Sequence, residues 1–170
     1  MKQKIKLGIL DQSIVRQGSS PKDAIEETIA TAKLAEELGY SRFWVSEHHN
    51  APSIAGSTPE VLMVKLADVT KKIRIGSGGV MLPNHSALKV AENFRMLEAL
   101  FPGRIDLGMG RAPGSDRITA AILNPSNDLM KIVTWRNYRI FSIFLMILRV
   151  PVMESFLQCH RLKRYHSNGS

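Results

Sequence analysis

Apolar and polar residues alternate along the first 110 positions in two distinct rhythms. Short apolar runs, Lys4–Leu10 (KIKLGIL), Arg42–Ser46 (RFWVS), Ile73–Met81 (IRIGSGGVM) and Arg104–Gly108 (RIDLG), read as strands. Between them lie longer stretches with apolar residues spaced as on one helix face. In the first, Ser20 reads as an N-cap, Pro21 takes the first helical position and Asp23 completes a capping box. Ile25, Thr28, Ile29, Ala32, Ala35 and Leu38 form its stripe, and Gly39 is its stop. Thr58-Pro59-Glu60 opens a second helix that runs to about Lys71. Ser86 opens a third, with Ala87, Val90, Ala91, Phe94, Leu97 and Leu100 on its apolar face and Pro102-Gly103 as its end.

The strands recur about every 31–38 residues, the size of one β/α unit. This succession predicts an α/β protein whose parallel sheet is buried on both faces. Two architectures share the pattern. An open doubly wound sheet fits 170 residues comfortably. A (β/α)₈ barrel needs about 250, so at this period the chain would carry its first half. Length favours the open sheet, whereas the loops favour the barrel.

Composition divides the chain near Met130. Residues 1–130 hold 16 Lys and Arg against 14 Asp and Glu, while residues 131–170 hold 7 basic residues against Glu154 alone. The net charge of +8 therefore belongs mostly to the tail and does not mark the whole chain as a nucleic-acid binder. One cysteine excludes a disulfide framework and suits a reducing, cytoplasmic compartment. Neither a signal peptide nor an apolar run long enough to span a bilayer is read from the sequence.

The polar residues of interest follow the strands: Asp11-Gln12, Glu47-His48-His49-Asn50, Pro83-Asn84-His85 and Arg111. Parallel α/β proteins place ligands at these strand ends. Neighbouring side chains on extended backbone point opposite ways, so His48 and His49 should do different jobs. Imidazole moves protons near neutral pH. Two loop histidines paired with a carboxylate or with backbone are an equally ordinary outcome. His48, His49, His85 and Glu47 could be assembled into a metal site, but adjacent histidines lack the spacing that puts two ligands on one helix face, and no metal is expected. Gly76-Ser77-Gly78-Gly79 inside a strand signals a bulge or a close backbone approach. Gly108-Met-Gly110-Arg-Ala-Pro-Gly114 has the wrong spacing for a dinucleotide fingerprint, and Pro113 falls where a helix should start. Arg111 offers a planar fork suited to phosphate.

The segments WVSEHHN, IGSGGVMLPNHSALKVAENFRMLEAL and PGRIDLGMGRAPGSDR together resemble the bacterial luciferase-like flavin monooxygenases, over roughly residues 4–128. The resemblance implies the first half of a TIM-type (β/α)₈ barrel, overriding the length argument. It implies reduced FMN at the strand ends, supplied by a separate flavin reductase, with O₂ as co-substrate through a flavin C4a-peroxide and a small organic molecule as substrate. By the same resemblance His48 is the active-site histidine beside the flavin, with Glu47 and His49 orienting it. Gly78-Gly79 matches a non-prolyl cis peptide against the isoalloxazine ring, and Arg111 an arginine that reaches the FMN phosphate. Asp11 receives no role.

Beyond Met130 the resemblance ends. Residues 1–130 are thus expected to be the N-terminal half of such a barrel, and residues 131–170 an atypical basic and apolar tail, read as a frameshifted continuation. Exposed barrel edges would favour a homo-oligomer. The alternative to an active monooxygenase is a non-catalytic fragment with impaired flavin binding. A basic module for nucleic acid or membrane rests on the tail charge alone and is not expected.

Overall fold

A computed structural model describes residues 5–112 and 114–125 of the chain. The expected tail lies outside these residues. Four strands, β1 (Gly8–Asp11), β2 (Arg42–Val45), β3 (Arg74–Met81) and β4 (Ile105–Gly110), form one parallel sheet in the order β1-β2-β3-β4. Helices α1 (Pro21–Glu37), α2 (Pro59–Val69) and α3 (Ala87–Leu100) connect them, and α4 (Arg117–Leu123) follows β4. The strand order never reverses, and the helices share the core on one side of the sheet. This is the winding of a barrel; a doubly wound sheet would reverse its order and carry helices on both faces.

The helix ends follow their sequence signals. Ser20 accepts from the Asp23 amide, and the Asp23 carboxylate accepts from the Ser20 amide, which closes the capping box. At the other end Gly39 adopts φ 80°, its amide donating to Glu36 and the Tyr40 amide to Ala35. Glu36 also reaches across to the segment entering β3, where its carboxylate accepts from the amides of Lys71, Lys72 and Ile73. The helix α4 was not foreseen. Asp116 caps it by accepting from the amides of Ile118 and Thr119, a signal present in the sequence as Asp ahead of a short apolar run.

The core lies between the sheet and the helices. Phe43, Val45, Ile75, Val80, Ile105 and Leu107 meet Ala32 and Ala35 of α1, Met63, Leu66 and Ala67 of α2, and Val90, Ala91, Phe94 and Leu97 of α3. The sheet is not buried on both faces. Leu10 is 56% exposed, and Arg42, Trp44 and Arg74 on the same face are partly open. Among the described residues no helix joins the core from that side. Its two arginines are neutralised in part by one buried carboxylate, with Arg42 Nε 3.0 Å and Arg74 Nη2 2.6 Å from Asp106. The Trp44 ring lies across Gly76, where an added Cβ would strike it.

Other departures are local. The first strand, expected over Lys4–Leu10, begins at Gly8 among the described residues, with Lys4 outside them, although Leu7 still accepts from the Ser41 amide. Leu38 and Leu100, expected on buried stripes, are 67% and 57% exposed. They stand at or beyond the last turn of their helices, where the chain turns away from the sheet.

Glu36 is the acceptor for three amides at once, so Glu36→Ala is expected to cost about 1–3 kcal/mol. Urea unfolding checks this; an unchanged midpoint would mean that water replaces the carboxylate without loss.

Candidate functional site

At the third strand end, residues 78 and 79 of β3 face only Gly108 of β4, a register shift between Ser77 and Val80. The expected bulge is present, and the Gly78-Gly79 peptide is cis. Ser77 repairs the interrupted ladder: its hydroxyl donates to the Gly108 carbonyl at 2.9 Å and accepts from the Gly108 amide at 3.1 Å. Close approach explains Gly79, because a Cβ there would lie 2.9 Å from both the Gly108 oxygen and the Met109 carbonyl carbon. Gly78 is different. It is exposed, and its Cβ position faces Leu10 and Trp44 on the open side of the sheet.

The segment leaving β2 separates its side chains as alternation requires. Glu47 turns inward and is 0% exposed. His49 Nε2 donates to its Oε1 at 2.6 Å and His85 Nε2 donates to the same oxygen at 2.7 Å. The Met81 amide donates to Oε2 at 2.8 Å. His48 takes another path: its amide donates to Gly56, and its Nδ1 meets the Ser46 hydroxyl at 3.2 Å. Glu47 and His49 were expected to orient His48, but their side-chain bonds run to each other and to His85. Ser46 is the partner that orients the His48 ring, and sequence reading missed it.

Electrostatics favours an ionised Glu47. Burial pushes the carboxyl up, but the hydrogen bonds from His85 and His49, the His85 charge and the Met81 amide together outweigh it and hold it below its ordinary value. His85 is pushed up by its bond to Glu47, against burial, with the charges of Glu47 and Glu60 adding to the rise. Glu47, His49 and His85, three of the four residues weighed from the sequence as a metal set, bring their ligand atoms within 4.8 Å of one another. Each of those ring nitrogens already donates to the carboxylate, so the set is satisfied as a hydrogen-bonded cluster.

The segment after β4 closes over these loops. Arg111 follows β4 directly and is exposed, with no hydrogen bond or ion pair among the described residues. Gly114, at φ 63°, accepts from the His49 amide. Asn50 donates to Thr119 and Asn124 to the Pro83 carbonyl, which ties α4 to the loops after β2 and β3. Asp116 is drawn down to about 2 by its bonds from the Thr119 hydroxyl and amide. Asp11, given no role from sequence, accepts from the Ser13 amide and the Thr28 hydroxyl and holds the end of β1 to α1. No helix among the described residues is long and apolar enough to cross a membrane.

A family profile for luciferase-like monooxygenases matches residues 5–122. The N-acetyl-S-alkylcysteine monooxygenase of Bacillus subtilis is 55% identical over 119 residues, which are 70% of this chain and 36% of that protein. The chain thus spans about a third of the length of such curated relatives. Among solved structures, apo-MsnO8 superposes with a TM-score of 0.78 at 42% identity, over 82% of this chain and 42% of the other. The oxygenating constituent of 3,6-diketocamphane monooxygenase from Pseudomonas putida, in complex with FMN, shares the fold at a TM-score of 0.67 and 22% identity, over 86% of this chain and 38% of the other.

The shifts at Glu47 and His85 set a pH window. Glu47 is held below 4.5, so its stabilisation is present above that value and is lost as pH falls through the lowered one. His85 is held above 6.5, so its contribution is complete below that value and is lost as pH rises through the raised one. Urea midpoints measured across pH should fall on both sides of this window, and Glu47→Gln should flatten both slopes. Glu47→Ala, which strands three donors, is expected to cost about 3–5 kcal/mol. A pH-independent midpoint would exclude this account of the cluster.

Proposed function

The chain belongs to the luciferase-like monooxygenase family, and from that premise we propose that its strand ends form an FMN site for oxygenating a small organic substrate. The observation that carries the reading is the side-chain-free Gly78-Gly79 segment near the end of β3, exposed at Gly78 and packed on β4 at Gly79, beside the loop of His48 at the end of β2. A flat ring system needs such a surface, because Gly78 presents no Cβ on the open side of the sheet. The unengaged guanidinium of Arg111 fits the phosphate end of the same molecule.

Reduced FMN, delivered by a separate reductase, supplies the electron pair for activating O₂ when bound. The chain's own residues supply binding and proton handling. Ser46 engages Nδ1 of His48, so Nε2 is the nitrogen at which His48 holds or moves a proton. Gly78 and Gly79 give the ring a close backbone surface, and Arg111 anchors the tail. Glu47 and His49 act behind this surface and do not touch the ligand.

A second reading is that these residues alone bind flavin weakly or not at all. The open sheet face beside Gly78, with Leu10 more than half exposed, favours it.

Titration of the purified chain with oxidised and reduced FMN decides between them. Micromolar binding supports the site; no binding at high micromolar concentration leaves the second reading. Arg111→Ala is expected to weaken FMN by about 10–100-fold while leaving riboflavin unchanged, the worth of one charge-assisted bond. His48→Ala should abolish turnover and change FMN affinity by no more than a few-fold. Turnover retained in that variant would remove His48 from the mechanism.

A further inference from the structure

The last two residues of β3 and the turn after it are held from both ends by one carboxylate. The Met81 amide donates to Glu47 Oε2, and four residues later the His85 ring donates to Oε1. Between them Leu82–Asn84 make a single 3₁₀ turn, buried throughout and closed by the bond from the His85 amide to Leu82. Glu47 itself belongs to the segment leaving β2, between Ser46 and His48. His49 reaches Glu47 from the same segment, so its bond is local. His85 and the Met81 amide are the groups that carry the contact across to the neighbouring strand.

We propose that His85 is a positioning residue: through Glu47 it fixes the end of β3, and the Gly78-Gly79 segment upstream of it, against the loop that carries His48. The proposal rests on the flavin reading for its consequence, since that segment and that loop are the two walls of the proposed FMN site. Its structural half stands on the ligand-free chain alone. Protonated imidazole makes the stronger, charge-assisted bond to the carboxylate, and neutral imidazole a weaker one. The titratable groups facing His85 are Glu47, the His49 ring at 6.2 Å between centroids, and Glu60 from α2. Two of the three, Glu47 and Glu60, are acidic and favour the protonated ring. The clamp therefore loosens as pH rises through the raised value of His85.

Two measurements on the full chain test this, across about pH 5 to 8, where histidine titrates. The first is the hydrogen-exchange protection of the Met81 amide without ligand, corrected for the intrinsic rate. The second is the FMN dissociation constant. Wild type should lose Met81 protection and FMN affinity together as pH rises. His85→Ala should lose Met81 protection and weaken FMN by about tenfold, the scale of one such bond. His85→Gln keeps an N–H donor that does not titrate, and should restore affinity to within a few-fold while abolishing the pH dependence of both readouts. A role confined to packing would leave that dependence in place.

Unchanged Met81 protection in His85→Ala, or full pH dependence in His85→Gln, overturns the proposal. If His85→Ala does not fold, His85→Gln decides alone through its pH profile. If the wild-type chain binds no FMN, the flavin reading fails, and the Met81 amide still decides whether the clamp exists.

Discussion

One buried carboxylate organises the functional end of this protein. Glu47 is fully enclosed and accepts from two imidazoles and a backbone amide. A buried carboxylate left with fewer partners would take up a proton or disrupt the loop that carries it. Here the compensation is nearly complete, so the charge persists. Because its partners come from the loop after β2, the last residue of β3 and the loop beyond it, keeping the charge satisfied and keeping these strand ends together are one requirement. His48 is thereby released from structural duty, with Ser46 as its side-chain partner.

The sheet shows the opposite economy. Its helix-facing side is a continuous apolar core, while its other side carries Arg42, Arg74 and Asp106 among Leu10, Trp44 and several glycines. In a closed barrel such a face would line the interior, where layers of side chains and any ligand share the space. The polar trio near the strand starts and the glycines near the strand ends divide that face. One half is cross-linked by charge, and the other is kept open by missing side chains.

Much of the fold was legible because β/α repetition writes itself locally. Ser20, Pro21, Asp23 and Gly39 bound α1 through bonds to residues at most five positions away, and each strand announced itself by a short apolar run. The bulge at Gly78-Gly79 was legible for a similar reason, since three glycines around Ser77 have few other uses in a strand. The His85–Glu47 contact was not. It joins residues 38 apart, and nothing in either neighbourhood names the partner. The exposure of Leu10 escaped reading as well, because an apolar residue in a strand does not say which surface will cover it. Ser46 is not marked by the sequence either, because a lone hydroxyl two residues before a histidine carries no pattern that names its partner.

Ser77 carries a consequence for how this sequence can drift. Its hydroxyl bonds both the carbonyl and the amide of Gly108 at the point where Gly78 and Gly79 interrupt the ladder. A Cβ at position 79 would press on the backbone of Gly108 and Met109, and one at position 108 would strike the Ser77 carbonyl oxygen, so both positions need glycine where the Ser77 hydroxyl bridges the gap. Loss of any one of the three leaves the other two at a disadvantage. Residues on different strands are therefore bound into one unit of inheritance. A change at any one of these positions is costly unless the others change with it.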